Sequence, residues 1–150
     1  MAYTKDTYKG KFTPKNPHKY VGDSENIIYR SSYELRFMKW CDMNDSIQKW
    51  NSEEIVVPYI SPKDNRIHRY FVDFTIQVKT KSGDIKTYMI EVKPFRFTQE
   101  PQAPKRKTKH FLSEVIQWSV NQAKWKAASA FAAEKGWQFM IITERDLGIS

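Results

Sequence analysis

The feature that most constrains this chain is a pair of alternating stretches joined by a tight turn. In residues 67–78, Tyr70, Val72, Phe74, Ile76 and Val78 fall on one face, and Phe71, Asp73, Thr75 and Gln77 on the other. In residues 86–93, Tyr88, Ile90 and Val92 alternate with Thr87, Met89, Glu91 and Lys93. A period of two predicts strands, and Lys81-Ser82-Gly83-Asp84 between them has the composition of a hairpin turn. If the strands pair through a turn near Ser82 and Gly83, Asp73 and Glu91 come close across the ladder, with Lys93 two residues beyond Glu91 on the same face. Carboxylates facing each other across a ladder repel, and desolvation raises the cost. A divalent cation removes that cost. Mg²⁺ takes oxygen ligands, often one or two carboxylates plus water and phosphate. It polarises a phosphodiester and acidifies an attacking water. Lys93 would add a compact positive charge beside that water. The alternative is a solvated sheet face with a cross-strand ion pair of little worth. Spacing alone leaves both readings standing.

The remaining elements surround that hairpin. Ser31 and Glu34 have capping-box spacing, and Tyr33, Phe37, Trp40 and Cys41 continue as a helical stripe fading near Asn44. As a capping residue Glu34 needs no other role, although a helix beside the sheet could also aim it at the polar face. Residues 55–60 read as a short strand, with Pro58 favouring an edge. Residues 95–109 are a polar loop, and a long helix follows over residues 111–135. Leu112, Ile116, Val120, Ala123, Ala127 and Phe131 are its expected buried stripe, and Gly136 its terminator. Residues 137–143 form a last strand. The expected fold is α/β, a mixed sheet flanked by helices. Its first three strands form a meander, and the long helix crosses over to bring the last strand into the same sheet.

Charge separates the chain into parts. The net charge is +8, which favours a polyanionic partner, nucleic acid before a membrane surface. Lys5, Lys9, Lys11, Lys15 and Lys19 crowd the start, and Lys105, Arg106, Lys107, Lys109, Lys124 and Lys126 a later segment. We divide the chain into a basic N-terminal arm, residues 1–28, and one domain, residues 29–150. Lys105, Arg106, Lys107, Lys109 and Lys124 are candidate DNA-phosphate contacts, or else ordinary solvated lysines. Gln117 and Gln122 could face a phosphate, and Trp118 and Trp125 either line a groove or join the core. One cysteine, Cys41, excludes an internal disulfide framework and thiolate-rich metal sites. His18, His68 and His110 lack metal-ligand spacing. No stretch is long and apolar enough to span a bilayer, and no phosphate-binding glycine loop or nucleophile elbow occurs.

Several phrases match a known family. Phe71-Val-Asp-Phe74 and Ile90-Glu-Val-Lys-Pro94, in this element order, resemble the PD-(D/E)xK superfamily of restriction-endonuclease-like nucleases, with its αβββαβ core. Tyr29-Arg-Ser-Ser-Tyr-Glu34 is similar to the glutamate-bearing helix of transposon-end endonuclease subunits. Lys11-Phe-Thr-Pro-Lys-Asn16, Lys19-Tyr-Val-Gly22 and Ile28-Tyr-Arg-Ser31 resemble the head completion nucleases of tailed bacteriophages. The proline that usually precedes the first aspartate is Val72 here. The resemblance implies a DNA nuclease, endonucleolytic with exonuclease activity open, that trims packaged DNA during head–tail joining. Asp73 and Glu91 would hold Mg²⁺, with Mn²⁺ as the alternative. Lys93 would serve the attacking water and Glu34 would complete the site. Its partners would be DNA and phage head or neck proteins, in the virion and host cytoplasm. Many relatives act as dimers, which leaves a homo-oligomer open. The rival readings are a non-catalytic DNA-binding virion adaptor and a transposon-end or junction endonuclease.

Overall fold

The computed structural model describes residues 9–148; the start of the basic arm, with Lys5, lies outside them. Strand β1 (Gly10–Phe12) pairs antiparallel with β2 (Ile27–Tyr29), and helix α1 (Ser32–Met43) follows. Next come β3 (Ile47–Ser52), β4 (Val56–Ile60), β5 (Ile67–Phe71), β6 (Phe74–Lys79) and β7 (Ile85–Val92). Helix α2 (Lys109–Glu134), strand β8 (Gln138–Ile142) and the short helix α3 (Glu144–Leu147) end the chain.

The main sheet has the order β3-β6-β7-β8, antiparallel except for the parallel pair β7–β8 that the α2 crossover creates. Its faces carry separate cores. On one, Phe37, Met38 and Cys41 of α1 pack with Trp50, Phe74, Ile76, Ile90 and Val92. On the other, Met89 packs with Val57, Tyr59, Tyr70 and Val72 and with Val120, Trp125, Ala128 and Ala132 of α2. The chain therefore has a mixed α/β sheet with a helix on each face, and an αβββαβ core runs through it.

The first strand of that core is not the expected one. Among the described residues, strands β4 and β5 pair only with each other, so residues 55–60 are not in the main sheet. The place belongs to β3, which the alternation did not reveal. A register shift between Ile47 and Lys49 leaves Gln48 as a bulge. Ile47 and Trp50, three apart, thus reach the same core, and the period of two is lost. The long alternating run is likewise two strands. It breaks at Val72 and Asp73, where the Val72 N–H donates to Ile55 O at 3.0 Å and the Glu53 N–H to Asp73 O at 3.1 Å. Tyr70 and Val72 consequently enter the α2-side core, while Phe74 and Ile76 enter the α1-side core. They do not share one face.

The buried stripe of α2 also differs from the expectation. Leu112 and Ile116 are 51% and 47% exposed. The first turns of α2 overhang the body, and burial begins at Val120. From there Asn121, Trp125, Ala128 and Ala132 are buried, Ala128 and Ala132 completely, the alanines letting the helix approach the sheet closely. No helix among the described residues is long and apolar enough to cross a membrane.

From residue 9 on, the basic arm is stitched to α1. The Lys19 ammonium is buried and donates to Cys41 O at 2.6 Å, Asp42 O at 3.0 Å and Asn44 O at 2.8 Å. It thereby satisfies three carbonyls of the helix terminus and complements the helix dipole. The Asp42 carboxylate accepts the backbone N–H groups of Lys15 and Asn16. Asp42 O and Asn44 O also accept from Asn16 Nδ2 and the Ile47 N–H, so Lys19→Met should lower the unfolding free energy in urea by about 1–3 kcal/mol, the cost of leaving the Cys41 carbonyl without that donor. An unchanged midpoint would show that the arm is not part of the folded unit.

Candidate active site

The geometry begins at the hairpin. Phe74 pairs with Ile90, so the residues just beyond that end of the ladder, Asp73 and Glu91, sit opposite one another. Asp73 is where the chain leaves the β4–β5 hairpin and joins the sheet; Glu91 is on the central strand. Lys93 follows on the same face. That face is covered by α2 and the hairpin. Asp73 is 7% exposed, Glu91 4% and Lys93 7%. The solvated sheet face that spacing left open is therefore excluded.

Each acid is held by a named donor. The Val92 N–H donates to Asp73 Oδ2 at 2.9 Å, and the Tyr70 hydroxyl to Glu91 Oε2 at 2.9 Å. Lys93 Nζ lies 3.7 Å from Glu91 Oε1. Burial raises the Asp73 carboxyl well above the ordinary aspartate range, and the charges of Glu91 and Glu34 push it the same way. Burial and the Glu91 charge likewise push the Tyr70 hydroxyl up, so it remains a donor.

Glu34 is buried on α1, near enough for its charge to act on Asp73. Its N–H is capped by Ser31 Oγ at 3.1 Å, while its Oε1 accepts the Arg30 N–H at 3.3 Å. Burial raises its carboxyl too. The capping role and the proximity to the acids coexist. Arg30 forms an ion pair with Glu53, a residue with φ of 56° whose side chain faces the site.

A cavity of about 440 Å³ opens onto these groups. Asp73, Glu91 and Lys93 lie at it, with Tyr70 and Glu53 beside them and Gln117, Asn121 and Lys124 of α2 forming a wall. Gln117 Nε2 donates to Asn121 Oδ1 at 3.1 Å. The half-buried Lys124 extends over the rings of Tyr59 and Tyr70 at 5.9 and 5.6 Å, and burial lowers the pKa of its ammonium. The expected residues gather only in part. Lys105, Arg106, Lys107 and Lys109 are exposed and do not line the cavity; nor does the exposed Gln122. Trp125 is core and Trp118 is half-buried away from the cavity. Sequence reasoning missed Glu53, Arg69, Phe97 and Asn121; Phe71 alone had a signal, since alternation put it on the face of Asp73. A larger cavity, about 780 Å³, lies between α1 and α3, is mostly apolar and holds none of the expected site residues.

Among the described residues, no three His, Cys, Asp or Glu side chains form a ready metal cluster. Asp73 and Glu91 are a pair, the number Mg²⁺ commonly takes from a protein. Two facing acids, with burial first and the neighbouring charge second raising the Asp73 carboxyl, are a donor set that a cation would relieve.

The chain is similar to known proteins over most of its length. Residues 44–144 match the family model described as TnsA-like endonuclease N terminal. The chain belongs to that family. The match begins after α1 and spans β3 to the start of α3, so this TnsA-like domain contains Asp73, Glu91 and Lys93, while Glu34 precedes it. The chain is also 43% identical over 144 residues to the head completion nuclease of Enterobacteria phage T4, covering 93% of each chain.

The raised acids have a consequence for stability. The folded state keeps protons on Asp73 and Glu34 that the unfolded chain releases, so the protein without metal should lose stability as pH rises above the ordinary carboxylate range. In EDTA, thermal melts between about pH 5 and about pH 8 should show that decline. Asp73→Asn should flatten it and raise the melting temperature at the alkaline end. A variant that melts lower than the native chain throughout would contradict the account.

Proposed function

We propose that this protein is a metal-dependent DNA nuclease of phage head completion, with Asp73 and Glu91 as cation ligands and Lys93 as the group that serves the attacking water. The observation that carries the reading is the burial of two facing carboxylates and a lysine at the floor of an open cavity. Removing such groups from water is costly unless something binds there. Family membership supports the endonuclease class, and the T4 relative, named for head completion, supports the setting.

A bound Mg²⁺ or Mn²⁺ would supply Lewis acidity at the phosphate and a lowered pKa for water. The chain does the rest. Tyr70 and the Val92 N–H fix one oxygen of each carboxylate, which orients the ligand pair before substrate arrives. Lys93 places a positive charge where the water must be held and where charge grows on the phosphate oxygens. The water attacks phosphorus, the P–O bond to the leaving oxygen breaks, and that oxygen takes a proton. Glu34, whose charge acts on Asp73 from α1, completes the catalytic site without being a cation ligand. Lys124 and Gln117 meet the phosphate from the α2 wall.

Lys105, Arg106, Lys107 and Lys109 serve the flanking phosphates. Lys109 opens α2, about 12 Å along the helix from Gln117 at 1.5 Å per residue, so this loop can grip the strand beyond the site. The partners are DNA and phage head or neck proteins, in the virion and host cytoplasm. A homo-oligomer would let two sites cut both strands; exonucleolytic trimming would need only one.

The test is cleavage of supercoiled plasmid. With Mg²⁺ or Mn²⁺ the native chain should nick it, and EDTA should abolish nicking. Asp73→Ala, Glu91→Ala and Lys93→Ala should each lose about a hundredfold or more. Full retention of plasmid in a gel shift, with no nicking under any cation, would favour a non-catalytic DNA-binding adaptor.

A further inference from the structure

Two phenylalanines line the cavity, one exposed and one half-buried, each with a guanidinium over its ring, and hydrolysis itself requires neither. Phe71, at the end of β5, lines the cavity and is 45% exposed, and the Arg69 guanidinium lies 5.5 Å from its ring centroid. Phe97, in the turn that follows β7, lines the same cavity, and the Arg96 guanidinium lies 4.5 Å from its ring. The two phenylalanines come from separate elements and neither belongs to either core cluster.

A phosphate-hydrolysing site that gripped duplex DNA by its backbone would need cations and amides at its rim, not phenyl rings. An aromatic ring with an adjoining arginine suits a different substrate. A nucleobase stacks on the ring, and the guanidinium meets the neighbouring phosphate or stacks in turn. Bases in an intact duplex are already stacked and cannot do this. The cavity volume lies within the range of pockets that hold one small molecule, which suits one nucleotide drawn out of its helix beside the cleavable bond.

We infer that Phe71 and Phe97 are base platforms, and that the preferred substrate is DNA with an unpaired strand, single-stranded or splayed at a fork, rather than intact duplex. This rests on the nuclease reading above and narrows its substrate. The β4–β5 hairpin also exposes Ile60 and Ile67, 61% and 75% accessible, as a protein-docking ribbon would. Phe71 differs from them in facing the acidic site with a cation beside it.

The experiment uses the full chain with Mg²⁺ and three end-labelled substrates of one sequence: single strand, splayed-arm duplex and blunt duplex. The native chain should cleave the first two faster than the third. Phe71→Ala and Phe97→Ala should each lower cleavage of the unpaired substrates about tenfold, matching the usual loss for one base–aromatic stack, with little effect on duplex. Phe71→Trp should retain the preference and Phe71→Leu should not, which separates stacking from simple hydrophobic contact and from misfolding. Equal cleavage of all three substrates by the native chain, equal losses on all three in the variants, or rescue by leucine would overturn the proposal; unchanged cleavage in Phe71→Ala would leave the hairpin face to a protein partner. Fluorescence anisotropy of the same oligonucleotides in EDTA keeps the two readings apart. Tighter single-strand binding that falls in Phe71→Ala, without cleavage under any cation, would sink the nuclease reading and leave the platforms standing.

Discussion

The arrangement of this molecule turns on the meeting of Asp73 and Glu91 at one end of the β6–β7 ladder. Two carboxylates there are costly by themselves, because burial and mutual charge both disfavour ionisation. The surroundings hold them in place. Tyr70 reaches Glu91 from the hairpin and the Val92 N–H reaches Asp73 from the central strand. The Glu53 N–H clamps the carbonyl of Asp73 itself. A local conflict maintained by hydrogen bonds from separate elements is the pattern expected of a functional site, where stability is sacrificed for chemistry.

The fold serves that pair. Strand β3 and helix α1 bury one sheet face and bring Glu34 behind Asp73. Helix α2 and the β4–β5 hairpin cover the other face, turning the polar side of β7 from solvated surface into the floor of a cavity. The C-terminal part of α2, with Trp125, Ala128 and Ala132, sits tightly on the sheet, while its first turns stand clear of the body. The basic loop before α2 is thereby held beyond the cavity rather than within it. The arm, through Lys19, caps the helix that carries Glu34.

What could be read in the chain follows from range. The hairpin register was legible because alternation and turn chemistry are local, and these alone set Asp73 against Glu91. The cap at Ser31, the last strand and the span of α2 were legible for the same reason. Strand β3 was hidden because its bulge puts Ile47 and Trp50 three apart. The break at Val72 and Asp73 was hidden because the alternation continues unbroken through a change of sheet. The buried face of α2 was misread because Leu112 and Ile116 carry the helical period out past the edge of the core. The half-buried Phe97 could not be distinguished from a core aromatic without the cavity, and Tyr70 could not be tied to Glu91, since each depends on elements distant in sequence.

Whether the buried pair holds a divalent cation is decided by binding of Mn²⁺ to the isolated protein, followed by electron paramagnetic resonance. The native chain should quench the free-ion signal with about one ion per chain at saturation, and Glu91→Gln should bind far more weakly while remaining folded. Equal binding by the two proteins, or none by the native chain, would contradict the account.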